Sequence, residues 1–242
     1  MWALENGDPR TGSWFLVHSP LPVTLLLAVY LLLVVAGPRL MGASESGRTP
    51  RCLQPGPGGS LGYMFYEFTA TSLLANYSYL CQPVDYSWSK LGMRMASVCW
   101  WCFSKAVELL DTTPECPSLV FFILRKKPEQ ITFLHVYHHG TMLFNWRAGV
   151  KHVSGGQAFF VGMLSSLVHV FMHLYYGLWH LTVLQLGQFV AIAAHSSYNL
   201  FAECPFPDGF NVAILLYLLS LLALFFNFYQ QTYLRSKRKK PA

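Results

Sequence analysis

The feature that most constrains this chain is a recurring apolar run of nearly bilayer length. Such runs occupy residues 21–36, 131–150, 156–178, 181–202 and about 212–233. A helix needs roughly 20 apolar residues to cross the hydrocarbon core. Two weaker candidates are 63–75, which carries Glu67, and 91–112, which holds Arg94, Lys105, Glu108 and Asp111. Only helices and closed barrels satisfy backbone groups in lipid. The runs therefore predict an all-α, polytopic membrane protein, nominally of seven transmembrane helices, in one integral membrane domain over residues 1–242.

Composition agrees. The chain is 53% hydrophobic and 12% charged, against about 25% charged in soluble domains. Its net charge of +6 is local. Arg125, Lys126 and Lys127 form one cluster; Arg235, Lys237, Arg238, Lys239 and Lys240 form the other. Basic clusters abutting apolar runs read as cytosolic flanks. No folded basic face surrounds them, which argues against nucleic acid. Residues 37–62, rich in Gly, Ser, Pro and Arg, are expected neither to bury themselves nor to span a membrane. Thr-Pro-Glu-Cys-Pro-Ser at 113–118 should interrupt a helix. Cys99 and Cys102 have C-x-x-C spacing but sit in an apolar run beside Trp100 and Trp101, as small buried thiols do. The N-terminus lacks the basic flank and cleavage pattern of a signal peptide, so the first span is expected to stay in the protein.

If both basic clusters are cytosolic, the connections near 76–85 and near Cys204 face the lumen. Asn76-Tyr77-Ser78 is an N-glycosylation sequon, useful only there. Cys81 and Cys204 would share that oxidising compartment. Lys239 and Lys240 stand fourth and third from the C-terminus. That pattern is either a dilysine retrieval signal of the endoplasmic reticulum or part of an ordinary polybasic flank.

All but one of the nine histidines fall between residues 135 and 195, mostly in apolar segments. Ionisable groups at membrane depth are expensive and usually functional. His135, His138 and His139 have spacings of three and four, which share a helix face. Imidazoles so placed can ligate a metal or act as nucleophile and general base. From Lys127, His135 lies about 12 Å in and His138 and His139 about 17 Å in; His169, on the next helix, lies roughly 15 Å from the same edge. The three levels match, so one cavity is expected. His195, roughly 21 Å deep, fits that layer less well. Gln185 and Gln188 either face the cavity or hydrogen-bond between helices.

These residues resemble the very-long-chain fatty acid elongases. The matching stretches are Lys105-Ala-Val-Glu108-Leu-Leu-Asp111-Thr112, Phe121 to Lys127, Phe133-Leu-His135-Val-Tyr-His138-His139, His169 to Gly177 and Leu181 to Phe189. The similarity covers most of 10–36 and 63–240. The tyrosine in the histidine box and the stretch Tyr77 to Ser87 are similar to members acting on polyunsaturated and very long acyl chains.

The resemblance implies a seven-helix enzyme of the endoplasmic reticulum that condenses acyl-CoA with malonyl-CoA to a 3-oxoacyl-CoA two carbons longer. It implies His138 as acyl acceptor, His135 and His139 as its tuning partners, and His169 as the group polarising the malonyl or keto function. Lys105, Glu108 and Asp111 would order the CoA end, with Arg125, Lys126 and Lys127 near its phosphates. Tyr175, Gln185 and Gln188 would complete the substrate site, and Cys81 would pair with Cys204. No bound cofactor or metal is implied; the partners are the two CoA thioesters, the bilayer, the other elongation-cycle enzymes and other elongase copies.

The chain departs from that pattern at an insertion of Thr113 to Leu119, at a shortened connection before Gln185, at Ser165 and His173, and at a second span partly replaced by the Gly/Pro-rich stretch. These changes motivate an inactive elongase-like isoform as one alternative. A membrane di-iron desaturase or hydroxylase, which also uses H-x-x-H-H, is another. That class needs about three such boxes, and the chain holds no second H-x-x-H-H.

Overall fold

Helix formation follows the apolar runs. The computed structural model describes residues 7–40, 58–108, 133–174 and 178–230, and among them every regular element is helical. The helices are α1 (Leu21–Leu40), α2 (Gly58–Leu74), α3 (Lys90–Glu108), α4 (Phe133–His152), α5 (Ala158–Leu174), α6 (Leu178–Phe201) and α7 (Asp208–Tyr229). Both ends of the Gly/Pro-rich stretch are helical: α1 runs on to Leu40 and α2 begins at Gly58. The insertion at 113–119 and the basic C-terminal tail at 234–242 lie outside the described residues.

By length and composition α7 can cross a membrane, with a mean hydropathy of 2.3 over its apolar window. Leu21–Ala36 and Ala158–Met172 are shorter apolar helices. Asp208 sits in the first turn of α7, where a carboxylate complements the helix dipole. Asn211, Leu218, Leu221 and Phe225 form its buried stripe, and Phe225 meets Phe189 of α6 edge-on at 5.2 Å.

Of the described residues, those within 1–56 and 96–154 form one compact unit and those within 57–95 and 155–242 another. In the first, α1 packs on α4. Buried Tyr30 is surrounded by Leu27, Val34 and Val136. Gly140 lets α1 come close: a Cβ there would lie 3.1 Å from Leu27 Cδ1.

The segment before α1 is fastened to the C-terminal end of α4. The Asp8 amide donates to the Lys151 carbonyl at 2.7 Å. The Thr11 hydroxyl donates to the Val150 carbonyl at 2.8 Å, and Arg147 donates to the Val17 carbonyl at 2.9 Å. A helix end leaves its last carbonyls without intrahelical donors, and this segment supplies two of them. Trp100 of α3 donates to the Phe15 carbonyl at 3.1 Å.

In the second unit α2 packs on α5, and α6 on α7. Glu67 weakened the case for 63–75 as a span. The structure resolves that by pairing it: Arg94 Nε and Nη2 donate to its two oxygens at 2.8 and 2.9 Å. Cys81 and Cys204 form a disulfide with Cα atoms 5.7 Å apart, tying the connection after α2 to the one before α7. Cys99 and Cys102 are buried and not disulfide-bonded.

Gly156 lies where these connections converge. A Cβ there would fall 2.8 Å from Phe206 Cε2 and 3.0 Å from Val84 Cγ2. Gly156→Ala is therefore expected to destabilise the protein by about 1–3 kcal/mol through overpacking. A lower thermal midpoint of the detergent-solubilised protein checks this; an unchanged midpoint would mean that Phe206 swings aside freely.

Candidate active site

The histidine box occupies the first turns of α4. Phe133 stacks on Tyr137 at 6.0 Å, one turn apart. Val136 and Gly140 define the stripe against α1. At 100° per residue His138 lies about 160° round the helix from Val136, so it points away from α1. His138 and His139 are half-buried, with ring centroids 5.5 Å apart and nearly perpendicular planes. The Thr141 hydroxyl donates to the Tyr137 carbonyl at 2.6 Å and lies 3.2 Å from that of His138. His135 belongs to the same helix turn; its side chain is outside the described set.

His169 lies on α5 in the second unit. Its Nδ1 is 2.8 Å from the Ser165 carbonyl. A carbonyl only accepts, so Nδ1 carries the proton, and the neutral ring presents the Nε2 lone pair. Polarising a substrate carbonyl from Nε2 thus requires the imidazolium. Gln185 of α6 donates to Met172 Sδ of α5 at 3.1 Å, an interhelical bond. Gln188 is buried.

Asp111, Arg125, Lys126, Lys127 and Tyr175 lie outside the described residues. Lys105 and Glu108 fall in the last turn of α3, without described side chains. Asn76 is exposed and takes a left-handed conformation, φ 54°.

His195, which fits the catalytic layer poorly by depth, has a structural position. Its Nε2 is 3.0 Å from the Tyr79 carbonyl, and its ring stacks on Phe160 at 4.3 Å. Asn199 Nδ2 approaches its Nδ1 at 3.3 Å, and Gln157 donates to Asn199 Oδ1 at 2.9 Å. Gln157 also lies 3.6 Å from Cys204 Sγ. This polar layer beside the disulfide was not foreseen. The one hint in the sequence was a histidine out of register with the others.

Imidazoles carried on a set of helices, one of them long and apolar enough to cross a membrane, define a class: a histidine-bearing all-helical protein. The ELO (GNS1/SUR4) family matches residues 15–241, and the chain belongs to that family. It is 41% identical to very long chain fatty acid elongase 4 of Homo sapiens over 257 aligned residues, covering 99% of this chain and 80% of the relative. It is 39% identical to a very long chain fatty acid elongase of Aedes aegypti, covering 98% and 70%. With very long chain fatty acid elongase 1 of Homo sapiens the identity is 37%, covering 97% and 89%.

Proposed function

We propose that this chain is a very-long-chain 3-oxoacyl-CoA synthase, an acyltransferase that performs the condensation opening each round of fatty acid elongation. The observation that carries the reading is the family match across residues 15–241, together with a complete His135, His138, His139 box on α4. Its substrates are acyl-CoA and malonyl-CoA, and it works within a membrane.

The reaction divides into two halves. A ring nitrogen of His138 attacks the acyl thioester; the carbon–sulfur bond breaks, CoA leaves as thiolate, and an acyl-imidazole remains. Splitting a hard step this way is what nucleophilic catalysis provides. Malonyl-CoA then loses carbon dioxide, and the electron pair left on its methylene carbon attacks the acyl carbonyl. The new carbon–carbon bond forms as the carbon–nitrogen bond breaks, restoring His138. The adjacent His139 ring and His135 tune its basicity, and His169 as imidazolium stabilises charge on a carbonyl oxygen. Decarboxylation supplies the carbanion, so this scheme uses no bound cofactor or metal. Lys105, Glu108, Asp111 and the basic run Arg125 to Lys127 order the CoA end; Tyr175 and Gln188 line the substrate path.

The same reading places the chain in the endoplasmic reticulum with seven spans and a cytosolic C-terminus. The disulfide supports a lumenal face for the connections at 75–89 and 202–207. The similarity of Tyr77 to Ser87 to polyunsaturate-elongating members supports unsaturated acyl chains among the substrates.

The test is a microsomal assay of the full chain with radiolabelled malonyl-CoA and a panel of saturated and polyunsaturated acyl-CoAs. Label is expected in a 3-oxoacyl product. A well-expressed, membrane-inserted chain that incorporates none with any acyl-CoA would make the resemblance one of ancestry without activity.

A further inference from the structure

The contact between α1 and α4 lies within the first unit, at the level of the histidine box. Leu27 of α1 faces Gly140 of α4, and Tyr30, one turn on, packs against Val136. The later α1 residue meets the earlier α4 residue, so the two helices run antiparallel here. Val136 directly follows His135. Tyr30 is only 3% exposed, and its hydroxyl has no hydrogen-bond partner among the described residues. Its packing neighbours Leu27, Val34 and Val136 are all apolar. Arg147 Nε is the other such buried atom described in the first unit, but that guanidinium is anchored through Nη2 on the Val17 carbonyl. A buried hydroxyl left unmet costs stability, and a phenylalanine of the same shape avoids the cost.

The box residues stand at different distances from this contact. Round α4 from Val136, His139 lies about 60° away, His135 about 100° and His138 about 160°. His139 is therefore the member nearest to α1, and its ring meets that of His138 with centroids 5.5 Å apart. Side chains on a helix lean toward its N-terminus. On antiparallel helices Tyr30 and His139 thus lean toward each other along the axis.

We infer that Tyr30 is a positioning residue for the histidine box: its hydroxyl donates to the His139 ring in the reacting complex and so fixes the imidazole that adjoins the acyl acceptor His138. This role rests on the condensing activity proposed above and adds a group from α1 to the site on α4. Catalytic hydrogen bonds are often made only in the substrate complex. With one ring nitrogen of neutral His139 accepting from Tyr30, the other nitrogen carries the proton. The tautomer and the ring orientation are then set together, which is what a tuning partner of His138 requires.

Tyr30→Phe isolates the hydroxyl, because the ring and its packing on Leu27, Val34 and Val136 are kept. In microsomes carrying the full chain at matched level, kcat for condensation is expected to fall about tenfold, the loss of one hydrogen bond to a reacting group. KM for acyl-CoA should not change. The thermal midpoint of the detergent-solubilised full chain should stay or rise, since an unmet buried hydroxyl has been removed. Lost turnover with retained stability is a combination that a packing role does not produce. An unchanged kcat would overturn the inference and leave the hydroxyl an unmet group in the α1–α4 contact. A raised KM alone would make it a substrate contact, and a lower midpoint alongside the lower kcat would make it structural; either result overturns the positioning role. Wild-type chain that condenses no acyl-CoA would instead overturn the activity reading itself.

Discussion

His138→Ala is expected to lower condensation by at least about 10³-fold, because it removes the atom that accepts the acyl group. The loss should fall on kcat, with acyl-CoA binding largely retained, since the thioester's CoA and chain are held by other groups. His138→Gln, which keeps a hydrogen-bonding side chain of similar size, should be as inactive as alanine. Rescue by glutamine would reduce His138 to a hydrogen-bonding partner and move the nucleophile elsewhere on α4. The orientation of His138 away from the α1 contact at Val136 makes a purely structural loss the less natural reading. Matched expression and membrane insertion of the variants check that directly.

The second large effect is on stability. Asp8 and Arg10 form an ion pair in which both side chains have 0% exposure. Asp8 Oδ1 accepts from the Arg10 amide at 2.9 Å and from Nε at 3.0 Å. Its Oδ2 accepts from Arg10 Nη2 and from the Ser154 hydroxyl, each at 2.7 Å. Arg10 Nη2 also donates to the Ser154 carbonyl at 2.9 Å. Asp8→Ala removes the carboxylate from this buried pair, and breaking such a pair costs about 3–5 kcal/mol. At about 2–4 °C per kcal/mol for a chain of this size, the thermal midpoint should fall by about 6–20 °C. The double variant Asp8→Ala with Arg10→Met should recover part of the loss, because the guanidinium that faced the carboxylate is then removed as well. Equal midpoints for Asp8→Ala and wild type would show that the N-terminal segment does not hold α4.

Much of the helical layout was legible because hydropathy acts locally. The run at 212–233 appears as α7 and the run at 131–150 as α4, each displaced by a few residues. The histidine box was legible for the same reason: spacings of three and four put its members on one face whatever surrounds the helix. What sequence could not reveal depends on distant partners. Glu67 made α2 doubtful until Arg94, 27 residues away, was found to neutralise it. Nothing local in the sequence marks Asp8 and Arg10 as buried; Asp8 meets Ser154, 146 residues away. Depth set His195 apart from the other histidines, but its partner was not legible, because its hydrogen bond runs to Tyr79, 116 residues back. The polar layer at Gln157 and Asn199 had no local signature.

The claim that the reaction passes through an acyl group on α4 can be measured without the second substrate. Purified full-length protein is incubated with acyl-CoA alone, quenched and digested, and the peptide carrying His135, His138 and His139 is weighed by mass spectrometry. Up to one equivalent of CoA is expected to be released per chain. That peptide gains the acyl mass, the adduct is discharged on adding malonyl-CoA, and none forms in His138→Ala. CoA release that requires malonyl-CoA, with no acylated peptide at any time, would mean direct transfer between the two thioesters and would contradict the histidine-bound intermediate.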